Sequence, residues 1–302
     1  MQPSQTMASV DPLVLLKRGV HEWNQWRQGL YPPDDAAWPL SDRINLREAR
    51  LRQAQLPQIN LSLVDCCMAD LRHADLRHAD LREALLYTAD LSYAHLESAI
   101  LTGADLRETL LHDSHLAKAA LTATILTNAD LTRAVLRDAS LSQADLRQAN
   151  LSGADLNGAV LYTSDLNRAQ LKGATLNQAD LREANLAMAV LQDAVFHGAN
   201  LTAAMCSATN MIGTSFHKAT LDIANLSLAN LCMANLSQAY LRGAVLIGAN
   251  LIGANFHCAH LDHINLENAD IREGILRRAD LRFANLRYSN LRMANLAEAD
   301  LR

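Results

Sequence analysis

Histidines, cysteines and aspartates are the residues of this 302-residue chain best suited to chemistry, and their spacing decides what they could do. His197, His217 and His257 recur at multiples of twenty, Ser237 interrupts the series, and Cys258, His260 and His263 lie beside its last member. Imidazoles and a thiolate converging on one point could ligate zinc. In a chain that returns every twenty residues, however, outward side chains stack about 4.8 Å apart whatever their use. Exposed stacked histidines are the reading adopted, and no metal ligand is assigned. Aspartate abounds, and paired carboxylates could serve acid–base catalysis. Yet Asp and Asn alternate freely at equivalent positions, as suits a short acceptor bonding to nearby backbone rather than a catalytic carboxylate. G-x-S-x-G, the P-loop, G-x-G-x-x-G opening a helix and H-E-x-x-H are all missing. No catalytic residue, cofactor site or enzymatic activity is expected.

The elements that position these residues follow from a period of five. In ADLRHADLREALLYTADL, residues 74–91, leucine recurs every fifth position. On a helix, five residues advance about 500°, so the leucines would drift off any one face; on a strand they would alternate between faces. From Leu46 to Leu301 the register never slips. All centres are leucine except Cys66, Phe196, Cys206, Met211, Phe216, Phe256 and Ile271. Alanine stands two residues before most centres, and Asp or Asn often lies between. Period-two alternation sends the alanine and the centre to one side, which leaves two residues to turn a corner. A short strand plus a corner, repeated, makes a coil whose successive turns stack as parallel strands. Cys66 and Cys206, at centres, are expected to be buried as small hydrophobes. Nine glycines, Gly103 to Gly253, sit two residues after a centre. Those corners are expected to be type II, and the many non-glycine corners type I.

Before residue 58 the punctuation differs. All three tryptophans (Trp23, Trp26, Trp38) and all six prolines lie there, and the array that follows has no proline, as a ladder needing every N–H requires. Asp11 as cap, Pro12 in the first turn, Leu13, Leu16, Val20 and Trp23 at helical spacing, and Gly29 as stop predict a helix over about 12–28. Residues 1–43 form the extension, and 44–302 the repeat domain. Aromatics make up only 4% of the chain, so the core is aliphatic and suits a narrow, regular interior.

The uninterrupted Ala-Asp/Asn-Leu-x-x pattern over 44–302 resembles the pentapeptide-repeat proteins, numerous in cyanobacteria. That resemblance implies an all-β solenoid: a right-handed quadrilateral parallel β-helix of about 13 coils, twenty residues to a coil and roughly 60 Å long. Phe196, Phe216 and Phe256, spaced by multiples of twenty, agree with four sides. A coil stack has an apolar mouth at each end. The N-terminal helix, with Leu13, Leu16, Val20, Trp23 and Trp26, is the expected cap for one. At the bare carboxyl-terminal coil, either two copies meet as a homodimer or charges discourage stacking; some family members dimerise at that end. Seven arginines from Arg272 to Arg302 crowd it, offset by seven acidic residues.

Net charge is −5, too modest for a general nucleic-acid footprint. Five cysteines, odd in number and without C-x-x-C spacing, fit a reducing compartment. No run approaches the roughly 18 apolar residues of a membrane span, so a soluble, cytoplasmic protein without membrane contact is expected. Charge is distributed unevenly. Residues 61–180 carry sixteen acidic against ten basic residues, a balance of −6, whereas 184–260 hold only Asp193, Lys218, Asp222 and Arg242. Mapped on twenty-residue coils, Met188, Met205, Leu228, Val245 and Ile247 fall on one face, and Val190, Ile212, Met233 and Ile252 on the next. A contiguous apolar patch marks a contact surface. The leading expectation is a non-enzymatic scaffold that binds an as yet unknown protein partner. The resemblance also raises a DNA-mimicking, gyrase-interacting role, which the weak acidic bias and the arginine-rich end disfavour; a metal-binding or enzymatic role ranks last.

Overall fold

The computed structural model describes residues 11–30 and 43–302; Pro3, Pro32, Pro33, Trp38 and Pro39 lie outside them. Two helices open the described chain, α1 (Pro12–Leu16) and α2 (Val20–Gln28), where the sequence predicts one. Asp11 caps α1, its Oδ1 accepting from the Leu13 N–H at 2.9 Å. Gly19 supplies the break: its φ of +114° and ψ of 166° belong to a region that glycine alone adopts readily. The apolar spacing runs through this point, so the interruption is invisible to periodicity. Gly29 follows α2 as expected.

From Asn45 onward, each bridge residue pairs in parallel with the residue twenty further on, Asn45 with Asp65 through to Asp280 with Asp300. Four columns of bridges result, starting at Asn45, Arg50, Gln55 and Asn60, and they define sides one to four of a solenoid. The ladder repeats with little variation. Leu46 N–H donates to the Asp65 carbonyl at 2.7 Å, Asp65 N–H to the Ile44 carbonyl at 2.9 Å, and the corner Glu48 N–H to the Cys67 carbonyl at 2.9 Å. Within a coil, Ala49 N–H closes the corner onto the Leu46 carbonyl at 3.1 Å.

The corners correct the sequence reading. Every residue two after a centre, from Glu48 (φ 57°) to Glu298 (φ 63°), has positive φ whether or not it is glycine. Type I turns have negative φ there, so the corners are of the type II kind throughout. A non-glycine residue in that region is strained, but its N–H is held by the next coil, as Glu48 shows, and the same bond recurs down the array.

Inward-facing leucines and alanines form the core, almost all of them fully buried. Cys66 and Cys206 are buried among them, and Phe196 and Phe216 stack on side three with ring centroids 5.0 Å apart. Helix α2 lies against the first coil on side four. Trp23, fully buried, donates its Nε1–H to the Asn60 carbonyl at 2.7 Å, and Arg27 Nη2 donates to the Ser62 carbonyl at 2.6 Å. Asn24 accepts from the Asn60 N–H at 2.8 Å and donates to the Gln58 carbonyl at 2.9 Å. The bonds to Asn60 are those a preceding coil would make: one coil further on, Asp80 N–H donates to the Ile59 carbonyl and the Asp80 carbonyl accepts from Leu61. Leu16 is buried, and Leu13, Val20 and Trp26 pack against the core at its margin. Leu15 and Arg27, not singled out by the spacing, are buried as well.

Candidate functional site

The coil geometry sorts the sequence-predicted surface residues by side and corner. Met205 and Val245 stand on side one. Met188, Leu228 and Ile247 stand at the corner between sides one and two, Val190 on side two, and Ile212, Met233 and Ile252 at the corner between sides two and three. Met188, Met205, Leu228 and Met233 are exposed, Leu228 at 69% and Met233 at 67%; the other five are half-buried. The structure thus places all nine on two adjoining sides and their edges. Sequence reasoning missed Ile223, exposed at the corner between sides four and one; its twenty-residue phase was the available signal.

One coil below, Gly243, Gly248 and Gly253 occupy the three corners under Ile223, Leu228 and Met233. A Cβ on Gly248 would meet Leu228 Cδ2 at 2.9 Å, and one on Gly253 would meet Met233 Sδ at 2.5 Å. The glycines leave room for the apolar side chains to lean down over the next coil. Between the two edges runs a column of amides on side two. Asn210, Asn230 and Asn250 each accept from the backbone N–H two residues on, at 3.2–3.3 Å, and Asn250 Nδ2 donates to Asn230 Oδ1 at 3.1 Å.

Elsewhere charge is dense and in part locally paired. Aspartate before a centre and arginine after it form close pairs at Asp70–Arg72, Asp75–Arg77, Asp80–Arg82, Asp105–Arg107, Asp145–Arg147 and Asp180–Arg182, with Nη2–Oδ2 distances of 2.6–2.7 Å. Hydrogen bonding from Arg72 holds the Asp70 carboxyl down at about 2. Desolvation pushes the buried Cys206 thiol up to about 12 and raises Cys66 as well, so neither is a nucleophile at neutral pH.

The histidine column does not converge. His197 Nε2 is 2.8 Å from Ser215 Oγ, His217 Nδ1 is 2.9 Å from Ser237 Oγ, and His257 Nδ1 is 3.1 Å from the Arg277 carbonyl. Among the described residues no group of three or more His, Cys, Asp or Glu side chains could hold a metal ion. Nor, among them, is any helix long and apolar enough to cross a membrane.

Comparison with known proteins bears on this repeat surface. The family described as Pentapeptide repeats (8 copies) matches overlapping stretches from 44–86 to 264–302. Among solved structures, the chain is similar to HetL, a pentapeptide repeat protein involved in heterocyst differentiation regulation from the cyanobacterium Nostoc. Identity is 33%, covering 75% of this chain and 89% of that one, with a TM-score of 0.30. It is also similar to Rfr23 from the cyanobacterium Cyanothece 51142, at 25% identity over 44% of this chain and 91% of that one, TM-score 0.19. Trypsin-treated QnrB1, a plasmid-mediated fluoroquinolone resistance protein, matches at 22% identity over 57% of this chain and 91% of that one, TM-score 0.37. No curated protein matches.

Proposed function

Since this chain belongs to the pentapeptide repeat family, its repeats spanning residues 44–302, we propose that it is a non-enzymatic scaffold whose rigid coil presents the low-charge ridge to a protein partner in the cytoplasm. On this reading the array is a right-handed four-sided coil of about 13 turns, the hand being the one that parallel connections almost always take, and α2 caps its first coil. One observation carries the proposal: Met188, Met205, Leu228 and Met233 are exposed together in a stretch with four charged residues among seventy-seven. Exposed contiguous apolar surface costs solubility and is kept where it is covered in use.

Local pairing of the carboxylates favours this reading over DNA mimicry. A DNA mimic must present an uncancelled row of negative charge, whereas arginines pair with several of the aspartates that would supply it. The test is affinity capture from the native host with the wild-type chain and with Leu228→Ser/Met233→Ser. The wild type is expected to retain a partner that the variant loses; capture of the same proteins by both would remove the ridge. In a parallel supercoiling assay, the protein is expected neither to inhibit gyrase nor to protect it.

A further inference from the structure

The most exposed apolar side chains of the ridge belong to one coil. Ile223, Leu228 and Met233 hold three successive corners. The coil before them has Ala203, Ala208 and Gly213 at the same corners, and the coil after has Gly243, Gly248 and Gly253. On the edges of side two, Leu228 and Met233 therefore stand out as two knobs beside a low step made by Ala208 and Gly213. Charge brackets this stretch with opposite signs. Two coils before Ala208, Arg168 and Lys172 stand on the two edges of side two; two coils after Leu228, Glu267, Asp270, Arg272 and Glu273 occupy the same edges and the side between them.

The first of these levels carries +2 and the second, with three acids against one arginine, −2. Among the described residues Arg168, Lys172 and Glu273 have no ion-pair partner, and Glu267 accepts from Asn285 Nδ2 at 3.3 Å rather than from a cation. Arg272 is folded onto Asp270 at 2.7 Å. Every coil from Arg168 to Glu273 has another coil on both sides, so the opposite signs belong to the interior of the array.

We propose that a second copy of this chain covers the ridge, the two rods lying antiparallel with side two against side two, about a two-fold axis that crosses side two between Asn210 and Asn230. The proposal rests on the ridge reading and names its partner. About that axis each edge faces itself while the order of coils reverses, so the contact is isologous. Leu228 then meets Ala208 of the second copy, Met233 meets Gly213, and Met188 reaches Gly248 and the Leu228 that leans over it. At both ends of the contact Arg168 and Lys172 come opposite Glu267 and Glu273, and Asp193 meets Gly253, one coil from Arg272. Other pairings fit worse. Moving the axis onto the Leu228 coil sets Leu228 on itself and Asp193 against Glu273, and parallel rods set Leu228 against Met233 at one level. The six coils from Arg168 to Glu273 span about 29 Å, and one side is roughly 10 Å wide. Contact of that size lies at the small end of specific interfaces, so association at micromolar concentrations is expected.

Sedimentation velocity of the full chain tests this by charge exchange. The wild type is expected to pass from monomer to dimer over about 1–200 μM. Arg168→Glu/Lys172→Glu and, separately, Glu267→Arg/Glu273→Lys set like charges against each other at both ends of the contact, and each is expected to weaken the dimer at least about tenfold. The four changes together restore the opposition at unchanged net charge and are expected to return the dimer to within about threefold of the wild type. None of the four side chains belongs to the core, so the variants keep the fold. Three results would overturn the second copy as occupant: a wild type that stays monomeric throughout, exchanges that leave a dimer unchanged, as association at the carboxyl-terminal coil would, or a fourfold variant that does not recover. The ridge itself fails separately, by the capture experiment: loss of captured proteins on Leu228→Ser/Met233→Ser beside a monomeric wild type would keep the ridge and give it a different partner.

Discussion

An aspartate or asparagine before a centre does one thing in every coil: its Oδ1 accepts from the N–H two residues on, at 3.2 Å from Asp75 to Arg77 and at 3.1 Å from Asn185 to Ala187. Asp and Asn are thus interchangeable to the backbone and differ in what they do to a following arginine and in the amide N–H that Asn alone donates to the coil before it, as Asn250 does to Asn230. Pairing with Arg72 lowers the Asp70 carboxyl to about 2, and hydrogen bonding with their following arginines lowers Asp75, Asp145 and Asp180 too. A carboxyl depressed in the folded state adds stability that is present above its unfolded value, about 3.9, and is lost as pH falls through the folded value. Melting temperature is expected to be flat from neutral pH to about 5 and to fall between about 4 and 2; a scan showing the main loss above pH 5 would contradict this. At the corners, Gly253→Ala and Gly173→Ala separate strain from clash. Both glycines have positive φ, but only Gly253 lies under a side chain, a new Cβ there meeting Met233 Sδ at 2.5 Å, while nothing lies within 4 Å at Gly173. The Gly173 change is expected to cost about 1–2 kcal/mol, and the Gly253 change more, by urea denaturation. The positive φ of the other corners was not legible in sequence. Propensity assigns it to glycine, whereas here the next coil imposes it on Glu, Gln and Arg alike.

At the scale of elements, α2 substitutes side chains for a strand. Asn24 pairs with both a donor and an acceptor of the first coil, and Trp23 and Arg27 take two more carbonyls. Asn24→Ala would leave the Asn60 N–H and the Gln58 carbonyl without those partners, which costs about 1–3 kcal/mol for each group that water does not reach. Hydrogen exchange is expected to quicken at Asn60 and its neighbours and to stay unchanged beyond Leu181, because a coil contacts only its neighbours. Uniform quickening along the rod would show that α2 is coupled to the whole array. The start of the helical region was readable from Asp11 and Pro12, and the burial of Leu16 and Trp23 from their spacing. The break at Gly19 was not, since the apolar period continues across it, and the burial of Arg27 depends on carbonyls that only the folded coil presents.

Across the whole molecule, one aliphatic column of Leu and Ala layers runs through the array, so a single core truncation acts locally. Leu151→Ala, at a fully buried centre, is expected to cost about 2–5 kcal/mol in urea denaturation; a loss under 1 kcal/mol would mean that the coil closes over the cavity. The ridge was legible because a twenty-residue phase adds up its apolar positions. The ion pairing of the last coils was not: by count, seven arginines are offset by seven acids in that region, and only the geometry tells which partners meet, as Arg277 and Arg278 do with Glu298. The bridge register has a further consequence. Since residue i always pairs with residue i + 20, chain length acts as an angular coordinate. Inserting one pentapeptide between Ile252 and Ala284 would turn every later coil a quarter-turn around the axis relative to the ridge, while four would restore its bearing and only lengthen the rod. Surfaces on either side of such an insertion can therefore be re-aimed by counting repeats, with no change to any residue that makes them.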